Sequence, residues 1–220
     1  MHHALSTAVN AFRRWASERP VDERSGEWEC DYAKWPELNA AFLTHITTGP
    51  PRASTAGDIA DLLYAIGRDN ETAYLVRELA RREDWFLFLL PHALAVNDPD
   101  VKWQFAVQLG VEKFPFFAAE SALLKLVQDE HEYVRRMALQ GLGRMASPHA
   151  EPLCIRAWES NHEYQRIMVL WVLKELKSRN LHEYILLAKA DGREFLMRNA
   201  AEIENGMAPS DSQVDRRQHT

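Results

Sequence analysis

His-Glu pairs are the residues of this sequence whose types and spacing could hold a metal. "HEYVRRMAL" at residues 131–139 returns as "HEYQRIMVL" at residues 162–170, with six of nine positions identical, and a third "HEY" stands at 182–184. Imidazole and carboxylate together are typical ligands of non-haem iron. A pair that returns at fixed spacing can also mark where each unit of a structural repeat begins. The position of the pairs within the repeat therefore decides between the two interpretations.

Composition narrows the class of protein. The chain has 220 residues, enough for one domain or a short repeat array, and its net charge of −6 disfavours nucleic acid as a partner. Cys30 and Cys154 belong to no paired motif, which favours a reducing compartment. The N-terminus does not resemble a signal peptide, and the longest apolar run, residues 85–96, is shorter than the ~20 residues of a membrane span. We expect a soluble, cytoplasmic protein with no membrane partner.

The chain is predicted to be nearly all helix, because glycine is scarce and no segment alternates apolar and polar residues between turn signals. Thr55 with Asp58 resembles a capping box, and Ser147-Pro148 is typical of a cap followed by a proline at the first helical position. Helices are predicted near residues 4–18, 36–47, 56–67, 70–82, 84–96, 100–113, 116–128, 132–145, 149–158, 162–177, 180–190 and 194–204.

These helices repeat with a period. Val101-Lys102, Val134-Arg135 and Gln165-Arg166 are 33 and 31 residues apart, a period typical of solenoids built from helix pairs. In the helix near 132–145 one apolar stripe recurs at three-and-four spacing, and Gly141 on it would let a neighbouring helix approach closely. The stripe consists of Val134, Met137, Ala138, Gly141, Leu142 and Met145.

The line "DEHEYVRRMALQGLGRM" resembles the HEAT repeat, in particular its lyase-type variant, through Val134, Arg135, Ala138, Leu142 and Gly143. The resemblance extends over residues 84–204 and implies a fold rather than an activity. We therefore expect an all-α, right-handed α-solenoid of HEAT-like antiparallel helix pairs. Its predicted parts are an irregular N-terminal helical cap at 1–55, a repeat array at 56–204 and a disordered tail at 205–220.

One HEAT-repeat family, deoxyhypusine hydroxylase, binds two irons through recurring His-Glu pairs that follow the Val-Arg of the second helix. Transferred to this sequence, the ligand positions fall on Arg136 and Met137, Ile167 and Met168, and Trp103 and Gln104. None of these pairs offers a His-Glu ligand set. The observed pairs instead precede the Val-Arg position, where an acidic residue complements the helix dipole. We predict that they are structural and bind no metal.

No other catalytic signature is present, since the sequence lacks nucleophile-elbow, phosphate-loop, dinucleotide-binding, HExxH and CxxC patterns. We therefore predict no catalytic residues and no cofactor. Two HEAT-like enzyme classes remain as the alternative. A DNA glycosylase-like protein would need a basic groove, and a chromophore lyase-like protein would need a deep aromatic pocket.

The candidate functional surface lies off the buried stripe. Trp103, Arg136 and Ile167 occupy equivalent repeat positions, as do Val107, Gln140 and Trp171. These positions could be core, because such helices have neighbours on several sides. They could instead line a concave groove, anchored by aromatic residues and rimmed by cations. The N-terminal segment could also fold over that groove. The predicted partner-binding residues are Trp103, Arg136, Gln140, Arg144, Ile167, Trp171 and Lys174.

From this surface we predict non-enzymatic recognition of another protein. A net charge of −6 would steer a basic partner, as in an inhibitor or immunity-type complex.

Overall fold

Twelve α-helices account for most of residues 2–24 and 27–207, the part of the chain that the computed structural model describes. They are α1 (His2–Glu18), α2 (Trp35–Thr48), α3 (Ala56–Arg68), α4 (Tyr74–Ala80), α5 (Glu83–Ala95), α6 (Pro99–Val111), α7 (Phe116–Leu126), α8 (Glu132–Arg144), α9 (Ala150–Glu159), α10 (Glu163–Glu175), α11 (Leu181–Asp191) and α12 (Glu194–Met207). Each predicted helix is found, and these residues contain no strand. The prediction of an all-α fold is confirmed.

The N-terminal segment is irregular, with short 3₁₀ turns at Val21–Glu23, Trp28–Asp31 and Pro51–Ala53 between or beside α1 and α2. Helix α1 packs against α2 and α3. Its fully buried Phe12 holds this packing together, because the ring lies 4.8 Å from that of Tyr32 and 5.3 Å from that of Trp35. Aromatic pairs at these distances stabilise a core beyond the area they bury.

Helix α3 begins at the predicted capping box. The Thr55 hydroxyl accepts a hydrogen bond from the Asp58 backbone N–H, and the Asp58 carboxylate accepts one from the Thr55 backbone N–H. Two of the unpaired N–H groups at the helix start are satisfied in this way.

One predicted helix start and one predicted cap need correction. The helix expected over 70–82 begins at Tyr74, because the preceding residues wrap around the Asp69 carboxylate, which accepts from the Thr72 hydroxyl and from Leu75 N at 2.7 Å. Helix α9 begins at Ala150 and not directly after Ser147. The Ser147 hydroxyl accepts from His149 N at 3.2 Å, so it stabilises a turn that precedes the helix.

The chain forms two compact units, divided between Gly141 and Leu142. In the first unit, α5 packs on α6, and α6 packs on α3 and α7. Helix α1 packs on α2 and α3, and α2 packs on α4. In the second unit, α9 packs on α10, α11 on α12, and α10 on α12. Successive helices therefore pair, and the second helices of two pairs pack on each other, as in an α-solenoid.

A basic residue near the start of the second helix of a pair binds an acidic residue that lies further along the chain. Lys102 Nζ lies 2.7 Å from the Asp129 carboxylate, and Arg166 forms the same kind of ion pair with Asp191. Hydrogen bonds from Arg193 and Arg166 lower the pKa of Asp191 to about 2. In the intervening copy, Arg135 instead donates to the backbone oxygens of Asp129 and Glu130, so its cation holds the turn before α8.

Gly110 on α6 meets Gly141 on α8. A Cβ atom on Gly110 would lie 2.5 Å from the Gly141 Cα, and one on Gly141 would lie 2.9 Å from a Leu123 methyl. Only glycine permits this approach. The prediction that Gly141 admits a close neighbour is confirmed.

None of the helices in residues 2–24 and 27–207 combines the length and the apolar character needed to cross a membrane. Helix α12 continues through residues 205–207 of the predicted tail, and 208–220 lie outside the described residues. The predicted division at 55–56 and 204–205 stays a prediction.

Candidate partner-binding residues

The His-Glu pairs stand at helix starts, as predicted. His131 and His162 are exposed and precede α8 and α10, and Glu132 and Glu163 are the first residues of these helices. The third pair lies within α11, the first helix of its pair, so it is out of phase with the other two. Glu132 lies 3.3 Å from Arg136 one turn later. Glu163 accepts a hydrogen bond from Leu196 N in the first turn of α12. Both carboxylates therefore have structural partners.

Among residues 2–24 and 27–207, no three His, Cys, Asp or Glu side chains come together as metal ligands.

The two cysteines lack the features of an activated nucleophile. Burial raises the pKa of the Cys154 thiol to about 12. The pKa of Cys30 is also raised, by partial burial and by the nearby carboxylates of Glu27 and Glu71. A reactive thiol needs a lowered pKa and a cationic neighbour. Neither site offers these conditions.

In the first unit, Trp103 and Arg136 are joined through Tyr133. The Trp103 and Tyr133 rings meet edge to face with centroids 5.2 Å apart, and the Arg136 guanidinium lies 4.7 Å above the Tyr133 ring. The Trp103 indole N–H donates to Asp100 at 3.1 Å. Gln140, one turn beyond Arg136 on α8, is half-buried. These contacts hold an aromatic–cation cluster at the junction of α6 and α8.

In the second unit, Trp171 and Lys174 lie together on α10. Lys174 Nζ is 4.6 Å from the centre of the Trp171 ring, and the indole N–H donates to the Asn199 side chain of α12 at 2.8 Å. Ile167 lies one turn before Trp171 and is half-buried. Arg144, at the end of α8, is exposed.

Residues at equivalent repeat positions are exposed to solvent to a similar degree. Each of the six residues identified as equivalent is half-buried: Trp103, Val107, Arg136, Gln140, Ile167 and Trp171. By contrast, Leu170, beside Trp171 on the same helix, is fully buried. These six positions are therefore less buried than the core residues of the same helices.

Tyr133 and Asn199 were not identified from the sequence as candidate site residues. Tyr133 carried a signal in the sequence, because it is the third residue of the repeated His-Glu-Tyr motif and its equivalent is Tyr164. A residue kept in both copies but placed outside the buried stripe is a candidate for contacts between repeats. Asn199 carried no comparable signal, because only the packing of α12 on α10 places it beside Trp171.

Comparison with known proteins gives the family. A family model described as HEAT repeats matches residues 86–174 and 119–203, which together exceed half of the chain. No curated protein matches the chain. The matched region contains the helices α6, α8, α10 and most of α12, on which the repeated positions were found. With its paired helices and its matching repeats, this chain belongs to the HEAT-repeat family.

Proposed function

We propose that this HEAT-repeat protein is a non-enzymatic recognition module that binds another protein through half-buried and exposed residues of α6, α8 and α10. The residues that we expect to contact the partner are Trp103, Arg136, Gln140, Arg144, Ile167, Trp171 and Lys174. HEAT repeats are a helical module that often serves protein interaction, which is the general basis of the proposal.

The observation that supports the proposal most directly is the environment of the Trp171 side chain. Its ring is half-buried, its N–H is bonded to Asn199, and Lys174 lies against one face. An anchor residue that is already fixed in orientation loses little conformational entropy when a partner binds. Tryptophan and arginine also dominate the energetics of protein interfaces. Trp103, held by Asp100 and Tyr133, has the same properties in the first unit.

We propose further that the partner is basic and that the complex is of the inhibitor or immunity type. The net charge of −6 would accelerate association with a cationic surface and make the association rate depend on salt. A cytoplasmic location is part of this proposal. Its support is that Cys30 and Cys154 are free thiols, which are typical of reducing compartments.

The proposal is tested by capture of the partner from the native host, with wild-type protein and with the double variant Trp103→Ala/Trp171→Ala as baits. Trp158→Ala is the matched control, because Trp158 is also a half-buried tryptophan but lies outside the proposed set. A protein retained by wild type and by Trp158→Ala, but not by the double variant, is then purified and its affinity measured.

We expect the double variant to bind this partner at least ~30-fold more weakly, which corresponds to about 2 kcal/mol. The association rate should fall as salt rises. Equal retention of the same partner by all three baits would contradict the proposed residues. A nucleic acid as the retained molecule, or turnover of a small molecule, would contradict the proposed class of function.

A further inference from the structure

A cavity of about 210 Å³ lies in the first unit, and none of the proposed partner-binding residues lines it. It is lined by the 3₁₀ turn at Trp28–Asp31, by α2 and by the residues that follow α3. Glu29, Trp35, Asn39, Arg68 and Glu71 are among its lining residues.

Glu29 is the unusual member of this set. Its side chain is only 4% exposed, and one carboxylate oxygen, Oε1, lies 3.4 Å from Arg68. The other oxygen, Oε2, is buried and has no hydrogen-bond partner among the described residues. A buried carboxylate oxygen is costly unless a donor satisfies it. Glu29, which lines the cavity, therefore carries an acceptor that the described residues leave unsatisfied.

Arg68 does not pair with Glu29 exclusively, because two further carboxylates share the charge of its guanidinium group. Its Nη2 atom lies 2.9 Å from the Asp98 carboxylate and 3.7 Å from that of Asp100. Glu71 adds a further carboxylate to the cavity wall, and its pKa is raised by desolvation and by the neighbouring Glu27. Carboxylates outnumber cations around this cavity, so its potential favours a positive group.

The remaining walls suit the same kind of group. The Trp35 indole N–H donates to the Glu29 backbone oxygen at 2.8 Å, which fixes the aromatic ring at the cavity. Asn39 Oδ1 is a second buried acceptor without a partner in the described part of the chain. A carboxylate, an amide oxygen and an aromatic wall together bind a guanidinium or an ammonium, through charged hydrogen bonds and cation–π contact.

We propose that this cavity binds an alkylguanidinium or primary alkylammonium group, with Glu29 as its main acceptor. The group belongs either to a free small cation or to an arginine or lysine side chain of a partner. This site shares no residue with the proposed partner-binding set, so it extends the proposed function without depending on it.

The test is a nuclear magnetic resonance titration of the ¹⁵N-labelled protein that follows the indole N–H signal of Trp35, assigned with Trp35→Phe. The probes are agmatine, arginine blocked as its N-acetyl methylamide, and citrulline blocked in the same way. Citrulline has nearly the shape of arginine but carries no charge. We expect a saturable shift with agmatine or with blocked arginine, and no saturable shift with blocked citrulline.

The three probes also separate the two sources of the cation. Binding of agmatine alone assigns the site to a free small cation, because the blocked backbone is then excluded. Binding of blocked arginine shows that a partner side chain can enter. The absence of a saturable shift with either cation, or an equal response to citrulline, would overturn the proposal.

Variants provide the second arm of the test. Glu29→Gln should weaken cation binding at least tenfold, whereas Glu37→Gln, an exposed carboxylate of α2 outside the cavity lining, should not change it. If Glu29→Gln does not fold, the exposed Glu71→Gln replaces it and should weaken binding several-fold. Unchanged binding in the folded variant would also overturn the proposal. The Trp103→Ala/Trp171→Ala variant should bind agmatine like wild type, so the two proposals can fail separately.

Discussion

Glu163, the first residue of α10, accepts a hydrogen bond from the backbone N–H of Leu196 in the first turn of α12, at 3.2 Å. A carboxylate placed at a helix start satisfies an unpaired donor and complements the helix dipole. The same residue stands at the start of its own helix. The acidic member of this His-Glu pair thus links two successive repeats, and its recurrence needs no metal to explain it.

The histidines of the pairs are expected to be dispensable. In the double variant His131→Ala/His162→Ala, metal content measured by elemental analysis should stay at background. The free energy of unfolding should change by no more than ~1 kcal/mol, because both side chains are exposed. Stoichiometric iron or zinc in the wild-type protein, lost in this variant, would show that the pairs are ligands after all.

The contact between Gly110 and Gly141 predicts a large cost for a single methyl group. Gly110→Ala places a Cβ 2.5 Å from the Gly141 Cα, so two helix backbones must separate, and we expect a loss of about 3 kcal/mol in urea unfolding. Gly57→Ala is the control, because the nearest atom to its Cβ is 3.6 Å away. It should be neutral or stabilising by up to ~1 kcal/mol. Equal effects of the two substitutions would refute the close contact.

The ion pairs of Asp191 predict a dependence of stability on acid pH. Its pKa is about 2 in the folded protein against 3.8 for an ordinary aspartate, so the folded state binds fewer protons than the unfolded state between these values. The contribution of Asp191 is therefore complete above about pH 5 and is lost as the pH falls towards 2. Asp191→Asn should cost about 1 kcal/mol at pH 6 and almost nothing near pH 2. A difference that is constant across this range would contradict the ion pairs.

The fold could be predicted from the sequence because its signals are local. The helix breaks, the Thr55 cap and the three-and-four spacing around Val134 each involve residues within a few positions of one another. The start of α4 was misplaced although its determinant is also close in the sequence. Asp69 Oδ2 bonds to Leu75 N, and that turn depends on the side chain of a residue predicted to lie before the helix.

The candidate sites could be predicted only in part. Trp103 and Trp171 were found because equivalent repeat positions are visible in the sequence. The Glu29 cavity was not, because Glu29 and Arg68 are 39 residues apart and lie in the segment that repeats poorly. A periodic sequence pattern cannot predict that a carboxylate in an irregular turn is buried. Only the packing of the turn at Trp28–Asp31 beside α2 and α3 reveals it.

The exposure of Trp171 is the condition on which partner binding depends, and one pair of variants on α10 tests it. Leu170→Ala removes a fully buried side chain and should cost 2–5 kcal/mol, a range typical of leucine truncation in a core. Trp171→Ala removes a half-buried ring and one hydrogen bond to Asn199, and should cost only ~1–2 kcal/mol. Both values come from urea unfolding at neutral pH. A loss for Trp171→Ala clearly smaller than that for Leu170→Ala is the result that we expect. A loss of ~3–5 kcal/mol for Trp171→Ala would identify its ring as core and contradict the proposed binding surface.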